Sequence, residues 1–232
     1  MIVFDHLAVL LLVGFLPWQS YLAFNKISAM VNADASLKIP LYLNAVVSMW
    51  MVTAGVMLIV WFSGRGTASL GWHSQTPEQW ILGIAFSVFG AIVLYWHYRW
   101  TLLLPSRLMK FRQRHQHLLI LLPQIKRHMQ WFIILALTAG ICEELLFRGY
   151  IFWYSKQFLP LPAAVFITNL IFAWCHIYQG SRSMGIILLL GVLLSCSCLL
   201  SASLWPAMIL HSLVDLHAGF LGWRSFQNET GK

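Results

Sequence analysis

The run Trp131-Phe-Ile-Ile-Leu-Ala-Leu-Thr-Ala-Gly-Ile-Cys-Glu-Glu-Leu-Leu-Phe-Arg-Gly-Tyr-Ile-Phe-Trp153 decides the fold class of this chain. A helix needs about 20 mostly apolar residues to cross the hydrocarbon core of a bilayer, and this run supplies them. It nevertheless contains Glu143, Glu144 and Arg148. Because a charged side chain at that depth costs about 2.5–3.5 kcal/mol, the run predicts a transmembrane helix whose charges serve a function.

The composition extends this interpretation to the whole chain. Hydrophobic residues make up 59% of it and charged residues 9%, whereas soluble domains carry about 25% charged residues. The span in the opening run is placed at 129–153. Six further apolar runs lie at about 6–24, 41–62, 80–98, 161–178, 183–204 and 205–223. We therefore predict an all-α fold, a polytopic transmembrane helical bundle of about seven spans.

The basic residues are concentrated on one predicted side of the membrane. The longest loop, 99–128, holds Arg99, Arg107, Lys110, Arg112, Arg114, Lys126 and Arg127. Alternation of the spans adds Lys26, Lys38, Arg182, Arg224 and Lys232 to that side and leaves Arg65 and Lys156 opposite. The positive-inside rule places this side in the cytoplasm. It also accounts for the net charge of +8, so no nucleic-acid partner is expected. The compact chain favours a bacterial inner membrane.

One membrane domain is expected, in two parts. Residues 1–128 form the N-terminal transmembrane helices and the basic cytoplasmic loop, and residues 129–223 form a helical core, for which the polar residues described below predict a catalytic role.

Pro160, Pro162 and Pro206 mark helix starts, because proline is tolerated in a first helical turn. The segment 117–123 is too short to span, so it is expected at the interface. If it dips fully into the bilayer, there are eight spans.

The four cysteines, Cys142, Cys175, Cys196 and Cys198, all lie in apolar runs. They are interpreted as small apolar fillers rather than as disulfide partners. A cysteine–histidine nucleophile is disfavoured, because the neighbours Cys175 and His176 point about 100° apart on a helix.

Helical spacing separates the roles of the two adjacent glutamates. Glu144 and Arg148 are four residues apart, so they share a helix face and can form an ion pair. Glu143 points about 100° away and is less neutralised. Burial and a like-charged neighbour favour the use of such a carboxylate as a general base. A purely structural ion pair remains the alternative for Glu144 and Arg148.

Two other predicted spans carry matching polar groups. The fifth holds Phe172 and His176 four residues apart, and the seventh holds His211 and Asp215 with the same spacing. One carboxylate and two imidazoles from three helices are the groups that activate water, either directly or through a metal ion. His217 lies on another face and is interpreted as structural. The loop residues His115, His117 and His128 are interpreted as interfacial.

These segments resemble the CAAX protease and bacteriocin-processing (CPBP, or Abi) family of intramembrane peptidases, which includes the Ras-converting enzyme. The family shows Glu-Glu-x-x-x-Arg, then Phe-x-x-x-His, then His-x-x-x-Asn/Asp. The chain shows Glu143-Glu144-Leu-Leu-Phe-Arg148, Phe172-Ala-Trp-Cys-His176 and His211-Ser-Leu-Val-Asp215. The resemblance covers about 135–220.

The resemblance implies a membrane endopeptidase in which Glu143 and His176 activate the attacking water and His211 with Asp215 stabilises the oxyanion. An ionised Asp215 cannot donate a hydrogen bond, although Asn could. Asp215 must therefore be protonated, orient His211, or bind a metal. Metal-free activation, with no cofactor, is preferred. The alternative is Zn²⁺ held by Glu143, His176, His211 and Asp215, a donor set that suits this ion.

The predicted topology conflicts with this site. It puts His176 near the inner end of the fifth span and His211 near the outer end of the seventh, so the two imidazoles should not meet. The motifs are favoured over the topology, and a tilted or broken helix around 179–205 would reconcile them.

Two other functions are compatible with the spans. One is a non-catalytic scaffold or regulator, which would be expected to have lost a motif residue. The other is a proton-coupled transporter, for which inverted repeats are typical and none is visible. For a peptidase, the expected substrate is a leader peptide, a bacteriocin-like peptide or a membrane-protein segment.

Overall fold

The computed structural model of the protein describes residues 3–227, and this part of the chain is helical without strands. Lys232, assigned above to the basic side, lies outside it. We number the helices α1 (Val3–Ala33), α2 (Lys38–Phe62), α3 (Pro77–Leu102), α4 (Pro105–Arg114), α5 (Lys126–Ser155), α6 (Leu161–Cys175), α7 (Ser181–Ser201) and α8 (Trp205–Gln227). The predicted all-α fold is confirmed.

Each of the seven predicted spans corresponds to one of these helices, and α4 is the additional one. Within residues 3–227, five helices are long and apolar enough to cross a membrane, namely α1, α2 (with the preceding turn from Ala35), α3, α5 and α7. Helix α6 is apolar but has only 15 residues, and α8 carries the polar third motif. The protein is an integral membrane protein with a helical bundle fold.

Prolines begin the two helices that carry the second and third motifs, as the sequence predicts. Pro160 is the N-cap of α6, in extended conformation, and Pro206 is the second residue of α8. Between α7 and α8 the chain reverses at Ala202, which adopts a left-handed conformation with φ 52°. The next two residues, Ser203 and Leu204, are buried. The α7–α8 turn is therefore held inside the bundle.

Helix α5 departs from a regular α-helix directly after the paired glutamates. Residues Leu145–Ile151 form a π-helical segment, and all seven are buried. Such segments are rare and concentrate at functional sites. Glu144 and Arg148 still meet across it, with Oε1 and Nη1 2.8 Å apart. The pairing predicted from α-helical spacing is thus confirmed, although the π-helical segment was not predicted.

The basic segment 99–128 is more ordered than the predicted loop. It contains α4 and a 3₁₀ turn at Gln116–Leu118, and the following turns fold back onto α2. Lys38, which is buried, donates from Nζ to the carbonyls of Leu119 and Leu122 at 3.3 and 2.8 Å. The Tyr42 hydroxyl donates to the Leu121 carbonyl. Lys38 and Tyr42 thereby provide hydrogen bonds to backbone carbonyls that lie outside the helices.

A buried acid near the N-terminus was not predicted as such. Asp5 is fully buried in α1 and accepts hydrogen bonds from Arg65 Nη2 at 2.7 Å and from the Tyr150 hydroxyl at 2.8 Å. The Arg65 guanidinium also lies over the Trp153 ring at 4.0 Å. This cluster fastens α1 and the end of α2 to the part of α5 that follows the first motif.

Candidate active site

The three motifs converge on one cluster in the bundle. Glu143 Oε2 lies 3.7 Å from His176 Nε2 and 3.8 Å from His211 Nε2. His211 Nε2 is in turn 3.9 Å from Asp215 Oδ2. Glu144 and Arg148 complete the cluster behind His211. The structure therefore brings together all six residues that the sequence marks as candidates.

Helix α6 ends immediately before His176. Cys175 is its last residue, and His176 leaves the helical conformation with φ −102° and ψ 16°. Its Nδ1–H donates to the Phe172 carbonyl at 2.8 Å, which satisfies one of the unpaired carbonyls of the final turn. The imidazole also packs on the Phe172 ring, with centroids 4.8 Å apart. Both contacts hold Nε2 towards Glu143.

Glu144 is the polar centre of the buried side. Its carboxylate is fully buried, and Oε1 accepts from Arg148 Nη1 at 2.8 Å and from His211 Nδ1 at 2.7 Å. The second contact was not predicted. An ion pair in a low-dielectric surrounding is stable only with such additional hydrogen bonds. Glu144 thereby fixes both the position of the guanidinium and the tautomer of His211.

Arg148 is held from its other side by residues that the sequence analysis missed. Its Nη2 donates to Asn169 Oδ1 at 3.1 Å and to the Gly191 carbonyl at 3.3 Å. The guanidinium lies over the Phe172 ring at 4.2 Å. Asn169 Nδ2 donates to Ser195 Oγ at 2.9 Å, which links α6 to α7. The available signal was spacing, because Asn169 precedes His176 by two helical turns on one face.

Exposure separates the two glutamates further. The side chains of Glu143 and His176 are 13% and 15% exposed, and that of Asp215 is 35% exposed. Those of Glu144 and Arg148 are 0% and 2% exposed. Glu143, His176 and Asp215 are therefore partly open to the surroundings, whereas Glu144 and Arg148 are enclosed by their neighbours.

The expectation that His176 and His211 lie at opposite depths is wrong. The reason is the buried α7–α8 turn, whose Leu204 packs beside Gly149 of α5 rather than at the end of that helix. Helix α8 thus begins level with Gly149. His211 lies six residues along α8, and Glu143 lies six residues back along α5, a rise of about 9 Å in each case.

His176 reaches the same depth from the other direction. Helix α6 returns from the end of α5 over 15 residues, about 22 Å, and then stops. Glu143 lies twelve residues before Ser155, the end of α5, which is about 18 Å. The short sixth helix and the recessed start of α8 therefore reconcile the motifs with the topology.

The hydrogen bonds fix which ring nitrogens face the cluster. Each imidazole gives its Nδ1–H away, His176 to a carbonyl and His211 to a carboxylate. In the neutral form each Nε2 then carries a lone pair. Glu143 Oε2 is buried between them without a direct hydrogen bond. Two imidazoles and one carboxylate thus share a small, partly exposed site.

The same arrangement bears on the metal alternative. Imidazoles that ligate a metal commonly donate their other N–H to a carboxylate or carbonyl, as His176 and His211 do here. The residue types therefore fit Zn²⁺. In residues 3–227, however, no three His, Cys, Asp or Glu side chains are gathered closely enough to form a metal site. The alternative rests on the chemistry of the donors.

The remaining candidates lie outside this cluster. All four cysteines are free, as predicted. The Cys175 thiol lies 3.8 Å from the Leu12 carbonyl. His217 pairs with His97 at 3.0 Å between α8 and α3. His117 bonds to the Gln179 carbonyl, and His115 bonds to the Phe111 carbonyl.

Comparison with protein families finds a match over the part of the chain that carries the three motifs. Residues 126–217 match the family described as type II CAAX prenyl endopeptidase Rce1-like. The match runs from the start of α5 to His217 in α8 and includes all three motifs. No curated protein and no solved structure matches the chain. Over residues 126–217 the chain is thus similar to the CAAX protease and bacteriocin-processing family of intramembrane peptidases, which supports the resemblance seen in the three motifs.

Proposed function

We propose that this protein is an intramembrane endopeptidase in which Glu143, with His176, activates water for attack on a peptide bond. The observation that carries the proposal is the position of Glu143 Oε2, 3.7 Å from His176 Nε2 and 3.8 Å from His211 Nε2. These separations exceed a direct hydrogen bond. They suit a water molecule bonded to Glu143 and His176 at once.

The hydrogen bonds of the two glutamates support Glu143 as the general base. Glu144 is fully buried and is engaged by Arg148 and His211 through Oε1, whereas Glu143 is partly exposed and its Oε2 faces the two Nε2 atoms without a direct hydrogen bond. Glu143 takes a proton from water as the oxygen bonds to the carbonyl carbon. It returns that proton to the leaving amine when the C–N bond breaks. This is general base and then general acid catalysis by one residue.

His176 acts as the second acceptor. With its Nδ1–H committed to the Phe172 carbonyl, the Nε2 lone pair is available to orient the second hydrogen of the water. His211, in its charged form, presents Nε2–H to the developing oxyanion, and Glu144 stabilises that charge from Nδ1. Asp215 Oδ2, 3.9 Å from His211 Nε2, stabilises the positive charge on His211 from the other side of the ring.

Zn²⁺ remains the mechanistic alternative, held by Glu143, His176, His211 and Asp215. When bound there it would polarise the scissile carbonyl as a Lewis acid. The roles of Glu144 and Arg148 would be the same in both cases, because both position His211. The substrate is proposed to be a membrane-associated peptide or protein, such as a leader peptide, and the site is proposed to act in a bacterial inner membrane.

The test is cleavage by purified protein in lipid nanodiscs. Glu143→Gln and His176→Ala are each expected to abolish cleavage of a peptide library while the protein still inserts and unfolds at the wild-type temperature. Substrates held by Glu143→Gln can then be identified by mass spectrometry. Cleavage at the wild-type rate by Glu143→Gln would overturn the proposal and favour a scaffold that retained the fold.

A further inference from the structure

The proposed site is short of hydrogen-bond donors where the oxyanion forms. Asp215 is an acceptor when ionised. The Nδ1–H groups of His176 and His211 are directed away from the site, to Phe172 and Glu144. With Asp215 ionised and His176 neutral, a charged His211 is the one of these three residues that offers a donor, through Nε2. Oxyanion sites in acyl-transfer enzymes normally present two or more donors, which include tyrosine hydroxyls.

Tyr178 lies beside this site in the 3₁₀ turn that follows α6. Its ring stacks on the His176 ring, with centroids 6.1 Å apart and an interplanar angle of 28°. Phe24 of α1 also packs against the Tyr178 ring, with centroids 5.2 Å apart. Both contacts are made by the ring alone, so they fix its position independently of the hydroxyl.

The Tyr178 hydroxyl has a proton to donate. Its oxygen accepts a hydrogen bond from Gln179 Nε2 at 3.2 Å. Within residues 3–227, this hydroxyl donates no hydrogen bond to another residue. A tyrosine hydroxyl ordinarily keeps its proton at neutral pH, so the group is an O–H donor and not a phenolate.

We propose that the Tyr178 hydroxyl donates a hydrogen bond to the oxyanion of the tetrahedral intermediate and acts beside His211 as the second donor. This role rests on the proposed peptidase function. It also explains how Asp215 can occupy a position where an Asn would donate.

The step balances without another reactant. The water oxygen bonds to the carbonyl carbon, and its proton passes to Glu143. The C=O π pair moves onto oxygen, which then accepts from Tyr178 O–H and His211 Nε2–H. When the C–N bond breaks, the pair returns to C=O, and Glu143 protonates the leaving amine. Tyr178 keeps its proton throughout and acts as a catalytic hydrogen-bond donor.

Tyr178→Phe tests the proposal, because it removes the hydroxyl and retains the ring contacts with His176 and Phe24. Full-length protein in nanodiscs is assayed on the quenched-fluorescent peptide best cleaved from a library. We expect kcat to fall roughly 10²–10³-fold, as for loss of one oxyanion donor, with KM unchanged. Tyr95→Phe is the matched control, since Tyr95 is 57% exposed on α3, and it should retain wild-type kinetics.

Asp215→Asn in the Tyr178→Phe background separates a catalytic from a structural role. The amide restores a hydrogen-bond donor but does not change the ring packing. The kcat of the double variant should therefore be at least about tenfold higher than that of Tyr178→Phe. Wild-type kcat in Tyr178→Phe, or no recovery in the double variant, overturns the inference. If Glu143→Gln is inactive in the same assay, the proposed function stands even when the inference fails. Full activity of Glu143→Gln would reject both.

Discussion

Glu144 and His211 are joined by a 2.7 Å hydrogen bond between Oε1 and Nδ1, across 67 residues of sequence and two helices. The same oxygen accepts from Arg148 Nη1. One buried carboxylate oxygen therefore connects the first motif to the third. This contact fixes which nitrogen of His211 faces Glu143, and several consequences of it can be measured.

The first prediction separates the two glutamates by stability. Glu144→Gln removes the buried partner of Arg148, and breaking a buried ion pair from one side typically costs 3–5 kcal/mol, so we expect a loss of about that size. Glu143 is partly exposed and, within the described residues, pairs with histidines and not with an arginine. The unfolding temperature of Glu143→Gln should therefore stay near that of the wild type. Thermal unfolding in detergent checks both variants. Equal destabilisation by the two substitutions would contradict the assigned roles.

The second prediction concerns the close approach of α7 to Arg148. A Cβ on Gly191 would lie 2.6 Å from Asn169 Oδ1 and 3.0 Å from Arg148 Nη2, so Gly191→Ala must displace one of them. We expect peptide cleavage at least roughly tenfold slower, because partners that orient ligands and bases contribute about that much. Gly185→Ala in the same helix is the control, since its Cβ would have no neighbour within 4 Å. The two variants should differ in kcat and in unfolding temperature.

The third prediction addresses Asn169, which the sequence analysis did not select. Asn169→Ala removes the Oδ1 acceptor of Arg148 and the link to Ser195. Leaving buried donors unsatisfied typically costs about 1–3 kcal/mol, which sets the expected loss of stability. Asn44→Ala, on the exposed face of α2, should leave the unfolding temperature unchanged. An unfolding temperature for Asn169→Ala equal to that of Asn44→Ala would show that this contact contributes nothing.

The fourth prediction distinguishes the metal-free mechanism from the zinc alternative. After dialysis against a strong chelator and then metal-free buffer, we expect peptide cleavage at the original rate. Metal content measured by mass spectrometry is the control for complete removal. Loss of activity that stoichiometric Zn²⁺ restores would instead establish the alternative with Glu143, His176, His211 and Asp215 as ligands.

A fifth prediction tests the interpretation of the cysteines. The Cys175 thiol donates to the Leu12 carbonyl of α1, 3.8 Å away. Replacing all four cysteines by serine should therefore leave kcat within about twofold of wild type, because no thiol takes part in the reaction. Cleavage and its response to a thiol-alkylating reagent are measured on both proteins. Inactivation by Cys175→Ser alone would favour a thiol nucleophile.

Much of the fold followed from local properties of the sequence. Apolar runs, proline positions and residue spacing predicted the helices and the Glu144–Arg148 pair, because these depend on neighbours within one or two turns. The π-helical segment at Leu145–Ile151 was not predicted, since its hydrogen bonds are selected by the packing around it. The burial of Asp5 and Lys38 was missed for the same reason: their partners lie far away in the sequence.

The sequence by itself determined that this is a helical membrane protein and which six polar residues form the candidate site. Those conclusions rest on the cost of charges in a bilayer and on the spacing of the motifs. Only the tertiary structure decided that the six meet, because depth depends on where Leu204 packs against Gly149 and on how early α6 ends. It also decided that Glu144 orients His211. A contact between two helices is set by their relative position, which the spacing of residues along either helix does not specify.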